Sequence, residues 1–203
     1  SISAAAQEIT LEDIWKKVTF RQKSVYGIRS MSDGNHYTIQ GQSEDGNTVT
    51  MYEYATGDEV KQVMSEAGLK DISGDGEATF SSYEFNADDK FMLLKYDVES
   101  IYRRSSISKY WIVDLDNREA RKLKEKGKQR NATFSPDGSK IAYVEGNDLF
   151  IQDYKTGETT QVTNDGEKNK IINGYADWVY EEEFAFSKAF FWSPDGSKIA
   201  YYR

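Results

Sequence analysis

The chain has 203 residues, of which 38% are hydrophobic and 14% aromatic, so it can bury a substantial core and is not predicted to be disordered. Its formal net charge of −8 argues against a nucleic-acid partner, because phosphate backbones are bound by clustered lysines and arginines. The absence of cysteine excludes a disulfide framework, a thiolate metal site and a cysteine nucleophile. No stretch approaches the roughly 20 apolar residues that cross a bilayer, so no membrane span is predicted.

The first predicted element is a short helix, and the N-terminus is the only part of the chain with a helical pattern. Thr10 followed by Asp13 resembles a capping box. Apolar residues recur at helical spacing, at Leu11, Ile14, Trp15 and Val18. We expect this apolar face to pack against a neighbouring surface. The Ala-rich residues 2–6 do not form an intact signal peptide but are compatible with the remnant of a cleaved leader.

The rest of the chain is a series of repeats of the pattern Phe-Ser-Pro-Asp-Gly-Ser-Lys-Ile-Ala-Tyr. Clear copies begin at Phe134 and Trp192, a degenerate copy begins at Phe85, and a faint copy begins at Ser30. In each clear copy, proline presets the φ angle of a turn and glycine supplies a positive φ. Because an alternating strand follows the turn, each copy predicts a β-hairpin.

A second hairpin pattern lies between these copies. A strand runs into a polar turn at residues 49–59, 110–119 and 148–158. Each period of about 50 residues therefore holds about four short strands, which is typical of a β-propeller blade. We predict an all-β partial propeller of about four blades of four-stranded antiparallel sheet at residues 21–203, after an N-terminal segment with the short helix at residues 1–20. A β-sandwich is the alternative, but a nonapeptide that recurs intact argues against it.

Four such blades predict an incomplete ring, because the last copy of the repeat stops just after its turn, and a closed four-bladed propeller is the alternative. An open arc exposes unpaired strand edges and apolar blade faces. We therefore expect more chain, a second copy of the protein, or both to cover them.

The sequence offers little catalytic chemistry. It lacks a Gly-x-Ser-x-Gly motif, and its one histidine, His36, falls in the turn of the faintest repeat, so no convincing Ser-His-Asp triad can be assembled. No zinc pattern occurs, and residues 71–77 lack the alternating oxygen ligands of a calcium loop. We expect no catalytic residue, metal site or cofactor in this chain.

Residues 173–184, Asn-Gly-Tyr-Ala-Asp-Trp-Val-Tyr-Glu-Glu-Glu-Phe, insert three consecutive glutamates among aromatic residues within the repeating scaffold. A run of glutamates alone is usually a solvated face. The aromatic neighbours favour a site instead, since burial strengthens the field of carboxylates and two of them held together would bind a primary ammonium. The acid and base pair of a glycosidase fits poorly, because it needs two carboxyls on opposite sides of a sugar.

Arg103 and Arg104 are the complementary candidates, because a guanidinium can grip a carbonyl or carboxylate, although alone they are ordinary surface residues. With Tyr-Arg-Arg-Ser at residues 102–105, the acidic segment and the repeat that follows it, the chain resembles the N-terminal propeller of the dipeptidyl peptidase IV family. These are prolyl-oligopeptidase-type serine exopeptidases. The similarity runs over most of the chain and includes Thr-Leu-Glu-Asp-Ile at residues 10–14.

The resemblance implies roles for three residues. Glu182 and Glu183 match the glutamates that bind the free α-ammonium of the substrate, and Arg103 matches an arginine that reaches the substrate backbone. An α-ammonium has a pKa of about 7.7 to 8.0, so it is substantially charged at neutral pH. Supporting or packing roles are expected for the rest of the motif, namely Asp177, Trp178, Tyr180 and Glu181.

The same resemblance implies a larger parent protein. The family has an eight-bladed propeller and an α/β-hydrolase domain that supplies the catalytic Ser, Asp and His, and this sequence contains neither the later blades nor that domain. The chain should be inactive alone, whereas its parent would be a secreted or periplasmic homodimer that releases Xaa-Pro, or less readily Xaa-Ala, from peptides with a free N-terminus. A tripeptide-releasing relative and a non-catalytic propeller scaffold stay open, and only a scaffold has no use for adjacent carboxylates beside Arg103.

Overall fold

The structure, a computed structural model, describes residues 9–17, 19–20 and 26–203. Within these ranges the chain folds into three four-stranded antiparallel sheets and one two-stranded sheet. The predicted all-β architecture of about four propeller blades is confirmed, and the fourth blade is represented by two strands. Residues 2–6 and Val18, which the sequence assigned to a leader remnant and to the N-terminal helix, lie outside the described residues.

Each sheet is one blade, and its strands pair in chain order. Blade 1 contains β1 (Arg29–Ser30), β2 (His36–Ser43), β3 (Gly46–Glu53) and β4 (Glu59–Ser65). Blade 2 contains β5 (Ser82–Phe85), β6 (Phe91–Ser100), β7 (Ser106–Asp114) and β8 (Glu119–Lys122). Blade 3 contains β9 (Arg130–Phe134), β10 (Lys140–Glu145), β11 (Asp148–Asp153) and β12 (Thr159–Gln161). Blade 4 contains β13 (Phe190–Trp192) and β14 (Ile199–Tyr201).

The repeated sequence motif forms the turn between the first two strands of a blade. In the two clear copies, Gly138 donates its backbone N–H to the Ser135 carbonyl and Gly196 donates to the Ser193 carbonyl, each at 2.9 Å. The two glycines have φ angles of 66° and 69°, in the left-handed region that glycine adopts without steric cost. Asp89 takes the same position in the degenerate copy with a φ of 58°, which a short polar side chain tolerates. The sequence repeat therefore encodes one turn geometry.

The turn between the last two strands also repeats, and blade 2 fills its left-handed position with an arginine. Gly57 and Gly157 have φ angles of 76° and 78°, whereas Arg118 has a φ of 55°. A side chain is strained there by about 1–2 kcal/mol, while glycine loses about 0.5–1 kcal/mol more through backbone entropy. The ion pair of Arg118 with Asp71, at 3.5 Å, is highly exposed and contributes little.

We therefore expect Arg118→Gly to raise the free energy of unfolding by about 0.5 kcal/mol. The matched reverse change, Gly157→Ala, should lower it by about 0.5–1 kcal/mol. Urea denaturation of the chain measures both values. Equal losses in the two variants would mean that the arginine turn carries no backbone strain.

Apolar side chains fill the spaces between successive blades. In β6, Met92 and Leu94 lie in the cluster shared with blade 1, and Leu93 between them lies in the cluster shared with blade 3. In β10, Tyr143 packs toward blade 2 and Val144 packs toward blade 4. Both faces of a central strand are therefore buried, so residues 141–144 of β10 form a continuous apolar run and not the alternating strand expected from the repeat.

The helix α1 (Leu11–Trp15) is the predicted N-terminal helix, and its capping box forms as expected. Thr10 Oγ1 accepts the Asp13 N–H at 3.1 Å, and Asp13 Oδ2 accepts the Thr10 N–H at 3.1 Å. The expected packing of its apolar face is wrong for the described part of the chain. No residue of α1 is buried, and Leu11 and Trp15 are exposed.

The prediction that only the N-terminus is helical is wrong as well, because two further helices are α2 (Glu66–Ser73) and α3 (Trp178–Phe184). α2 begins after Ser65, whose Oγ accepts the N–H of Gly68 at 3.0 Å, and it ends at Gly74 with a φ of 68°. One buried leucine gives such a short helix too weak a periodicity for recognition. Across the described ranges, no helix has the length and apolarity that crossing a membrane requires.

Candidate functional site

The candidate residues lie at the end of the blades opposite the Pro-Asp-Gly turns. In an antiparallel blade, the turn between the second and third strands and the connection to the next blade lie at the same end. Residues 101–105 form the β6–β7 turn, and residues 162–189 connect β12 to β13 and contain α3. The topology therefore places the arginine loop and the acidic segment on one surface, although they are distant in sequence.

The first residues of the acidic segment anchor it to blade 3. Asn173 is buried and donates its backbone N–H to the Asn147 carbonyl at 3.1 Å and its Nδ2 to Asp148 Oδ1 at 3.2 Å. Gly174 has a φ of 79°, and a β-carbon there would lie 3.1 Å from a Val144 methyl group. The Asn-Gly pair is therefore an anchor, and the acidic residues that follow are placed relative to it.

The glutamates lie on α3. Asp177 caps this helix by accepting the Tyr180 N–H at 2.9 Å, and Ala185 ends it with a φ of 60°. The alternation of polar and aromatic residues concealed the helix, although an Asp followed by an acidic residue in the first turn, here Glu181, is a recognisable start signal. Successive side chains on a helix point about 100° apart, so the three glutamates do not share one surface.

The three carboxylates have different environments as a result. Glu181 is fully buried, the Glu182 side chain is 23% exposed, and Glu183 is exposed. Glu181 Oε1 accepts the backbone N–H groups of Arg104 at 2.6 Å and Ser105 at 2.9 Å. Glu181 therefore has the supporting position expected for it and is not available to a ligand.

Arg103 and Glu182 meet across the junction of the two segments. Arg103 Nη1 lies 3.7 Å from Glu182 Oε2, and the arginine side chain is 72% exposed. Glu183 follows on the same helix, and no lysine or arginine of the described ranges lies within 4.0 Å of its carboxylate. Two carboxylates with one guanidinium leave one excess negative charge. This arrangement suits a ligand that carries a cationic group next to a hydrogen-bond acceptor.

A groove of about 950 Å³ runs beside the start of α3. Its walls include Tyr102, which precedes the ion-paired arginine, and Trp178, which begins α3. Tyr175 also lines it, beneath the guanidinium of Arg130 at 4.2 Å from the ring centroid. Burial raises the pKa of Tyr175, and its hydroxyl donates to Asn147 Oδ1 at 2.6 Å. The groove is large enough for several residues of a peptide.

The sequence alone did not identify Trp178, Lys168 and Lys170 as residues that line this groove. The motif suggested a packing role for Trp178, but the helix turns it outward and leaves it 55% exposed on the groove wall. Tyr180 packs only partly, with its ring 5.2 Å from that of Phe184. Lys168 and Lys170, also on the groove wall, belong to no recognisable motif. Among residues 9–17, 19–20 and 26–203, no three acidic or histidine side chains form a metal-binding group.

Comparison with known proteins gives a consistent result. The family model described as dipeptidyl peptidase IV (DPP IV) N-terminal region matches residues 86–203. Dipeptidyl peptidase 4 of Felis catus is 34% identical over 202 residues, which cover 95% of this chain and 24% of that protein. Prolyl endopeptidase FAP of Homo sapiens is 34% identical over 195 residues, with coverage of 95% and 24%. The chain therefore spans about a quarter of the length of these relatives.

A solved structure agrees with the sequence matches. The crystal structure of Porphyromonas gingivalis dipeptidyl peptidase 4 superimposes with a TM-score of 0.76 at 33% sequence identity. The superposition covers 95% of this chain and 27% of that one. The residues matched by the family model, 86–203, include both the arginine loop and the acidic helix.

Proposed function

The chain belongs to the dipeptidyl peptidase IV family, as part of its N-terminal region, and we propose that it recognises the substrate for a longer serine-type exopeptidase. In this proposal residues 21–203 belong to the propeller and residues 1–20 precede it. An α/β-hydrolase domain of the longer protein supplies the catalytic Ser, Asp and His. The substrate is a peptide with a free N-terminus, and the products are Xaa-Pro or Xaa-Ala dipeptides. The proposal extends to a secreted or periplasmic homodimer, which the family resemblance supports.

One observation carries the proposal, namely that Glu182 lies 3.7 Å from Arg103 while Glu183 beside it has no cationic partner in the described chain. At a peptide N-terminus, the ammonium nitrogen and the first carbonyl carbon are both bonded to the same α-carbon. The carboxylates hold the ammonium, and they also raise its pKa by favouring the charged form. The guanidinium binds the neighbouring carbonyl with geometry that a lysine would not provide.

The two exposed glutamates then have unequal roles. The Glu183 carboxylate pairs only with the substrate ammonium, because no lysine or arginine of the described residues lies within ion-pair distance of it. Glu182 is shared between the substrate and Arg103, so it also holds the guanidinium in place. Together they bind the N-terminal end of a peptide and sterically exclude a longer N-terminal extension.

Three p-nitroanilide substrates test the proposal in the full-length enzyme that contains this chain. We expect rapid cleavage of Gly-Pro-anilide, with at least about 100-fold slower cleavage of its N-acetyl derivative, because acetylation removes the charge and adds bulk. Ala-Gly-Pro-anilide should also be poor, since the carboxylates leave no room for its additional N-terminal alanine. Preference for that tripeptide would support the tripeptide-releasing relative, and absence of all cleavage would favour a propeller scaffold.

A further inference from the structure

Arg103 lies in a hairpin loop that has few anchors of its own. The β6–β7 pairing loses its regular register between Tyr96 and Glu99. Beyond that point the loop closes through the Ile101 N–H, which donates to the Ser105 carbonyl at 2.9 Å. A protruding tip with few buried contacts opens readily, so a single position of the arginine requires a tertiary contact.

Glu181 supplies that contact from α3. One of its two carboxylate oxygens, Oε1, accepts two successive backbone N–H groups, those of Arg104 and Ser105, at 2.6 and 2.9 Å. Both Glu181 and Ser105 are buried. Hydrogen bonds to a carboxylate are strong, and the low local dielectric strengthens them further. The arginine loop of blade 2 is therefore fastened to the acidic helix between blades 3 and 4.

The contact also sets the register of the two segments. Glu181 adjoins Glu182 on the helix, and Arg104 adjoins Arg103 in the loop, so fastening one pair brings the other pair together at 3.7 Å. We propose that Glu181 is a positioning residue that acts through Arg103 and so determines substrate affinity. The inference rests on the proposed function. Because Glu181 is fully buried, it does not touch the substrate itself.

Variants of the full-length enzyme test this role. Glu181→Leu keeps a similar volume but removes the acceptor, and we expect it to raise KM for Gly-Pro-anilide about 10-fold with kcat changed less than about 3-fold. Arg103→Ala should have a similar effect. The double variant should resemble Arg103→Ala, because residues that act as a unit are not additive. Glu181→Gln keeps an acceptor oxygen and should restore most of the affinity.

Hydrogen–deuterium exchange, measured on peptides that cover residues 101–108, tests the contact of Glu181 with the loop independently of enzyme activity. Exchange there should be at least about 10-fold faster in Glu181→Leu than in the wild type, because two amides lose a buried acceptor. Thr163→Val is a matched control, since Thr163 Oγ1 accepts the Leu149 N–H in the same connection but lies away from the arginine loop. It should leave both KM and this exchange unchanged.

Unchanged exchange in Glu181→Leu would overturn the inference whatever the kinetics show. Additive losses in the double variant would also overturn it, by showing that Glu181 acts independently of Arg103. An equal rise in KM in Thr163→Val would overturn it as well, by showing that Glu181 acts only through stability. In those cases cleavage restricted to free-amine substrates still supports the proposed function. Equal cleavage of Gly-Pro-anilide and its N-acetyl derivative by the wild-type enzyme would instead overturn the proposed function. The role of Glu181 in substrate affinity would then be overturned as well.

Discussion

Glu183→Gln should lower kcat/KM for Gly-Pro-anilide by about 100-fold in the full-length enzyme. The substitution keeps the shape and one acceptor oxygen but removes the charge that no described cation balances. Removing one partner of a charge pair that the ligand has covered costs about 2–5 kcal/mol, and about 2.7 kcal/mol corresponds to a factor of 100. Cleavage of the N-acetyl substrate, which has no ammonium, should change less than about 3-fold. Steady-state kinetics on both substrates measure the difference.

Two other glutamates serve as comparisons for this prediction. Glu182→Gln should weaken the same substrate, and it should also loosen Arg103, whose ion-pair partner it is at 3.7 Å. Glu125→Gln changes the net charge by the same amount at an exposed position in another connection. It should alter kcat/KM less than about 2-fold, because exposed charges are largely screened. Full activity in Glu183→Gln would identify Glu183 as a solvated surface residue and would favour a scaffold function.

The hairpins could be predicted from the sequence because their signals are local. Pro136 and Gly138 specify a turn by their own backbone preferences, and the structure places the glycine at a φ of 66°. The degenerate turn at Asp89 was also recognisable, since aspartate tolerates the same region at 58°. Recurrence of this turn at blade intervals was sufficient to predict the stacked sheets.

The geometry of the site depends on contacts that no local pattern reports. Glu181, Glu182 and Glu183 are identical in sequence, yet the helix buries the first, half-buries the second and exposes the third. Their separation requires α3, whose short amphipathic pattern was concealed by aromatic residues. Arg103 lies beside α3 only because blades 2, 3 and 4 pack against one another. Only the family resemblance, and not residue spacing, could associate these residues in advance.

Phe190→Ala should lower the free energy of unfolding of the chain by about 3–5 kcal/mol, since that is the cost of truncating a fully buried phenylalanine. Phe190 is completely buried against Val144 and Leu149 of blade 3. Its ring also borders the position of Gly174, where a β-carbon would lie 3.4 Å from it. A cavity there would weaken both the contact between blades and the anchor of the acidic segment. Urea denaturation monitored by tryptophan fluorescence measures the loss.

Phe191 is the matched control, because it follows Phe190 on the same strand but faces the other way and is 51% exposed. Phe191→Ala should cost less than about 1 kcal/mol, since truncation of an exposed side chain leaves no cavity. Total stability of a domain is only about 5–15 kcal/mol, so the Phe190 variant should lose a large share of it. Equal losses at both positions would contradict the packing of blade 4 on blade 3. They would also remove the physical basis for the anchored acidic helix on which the proposed substrate recognition depends.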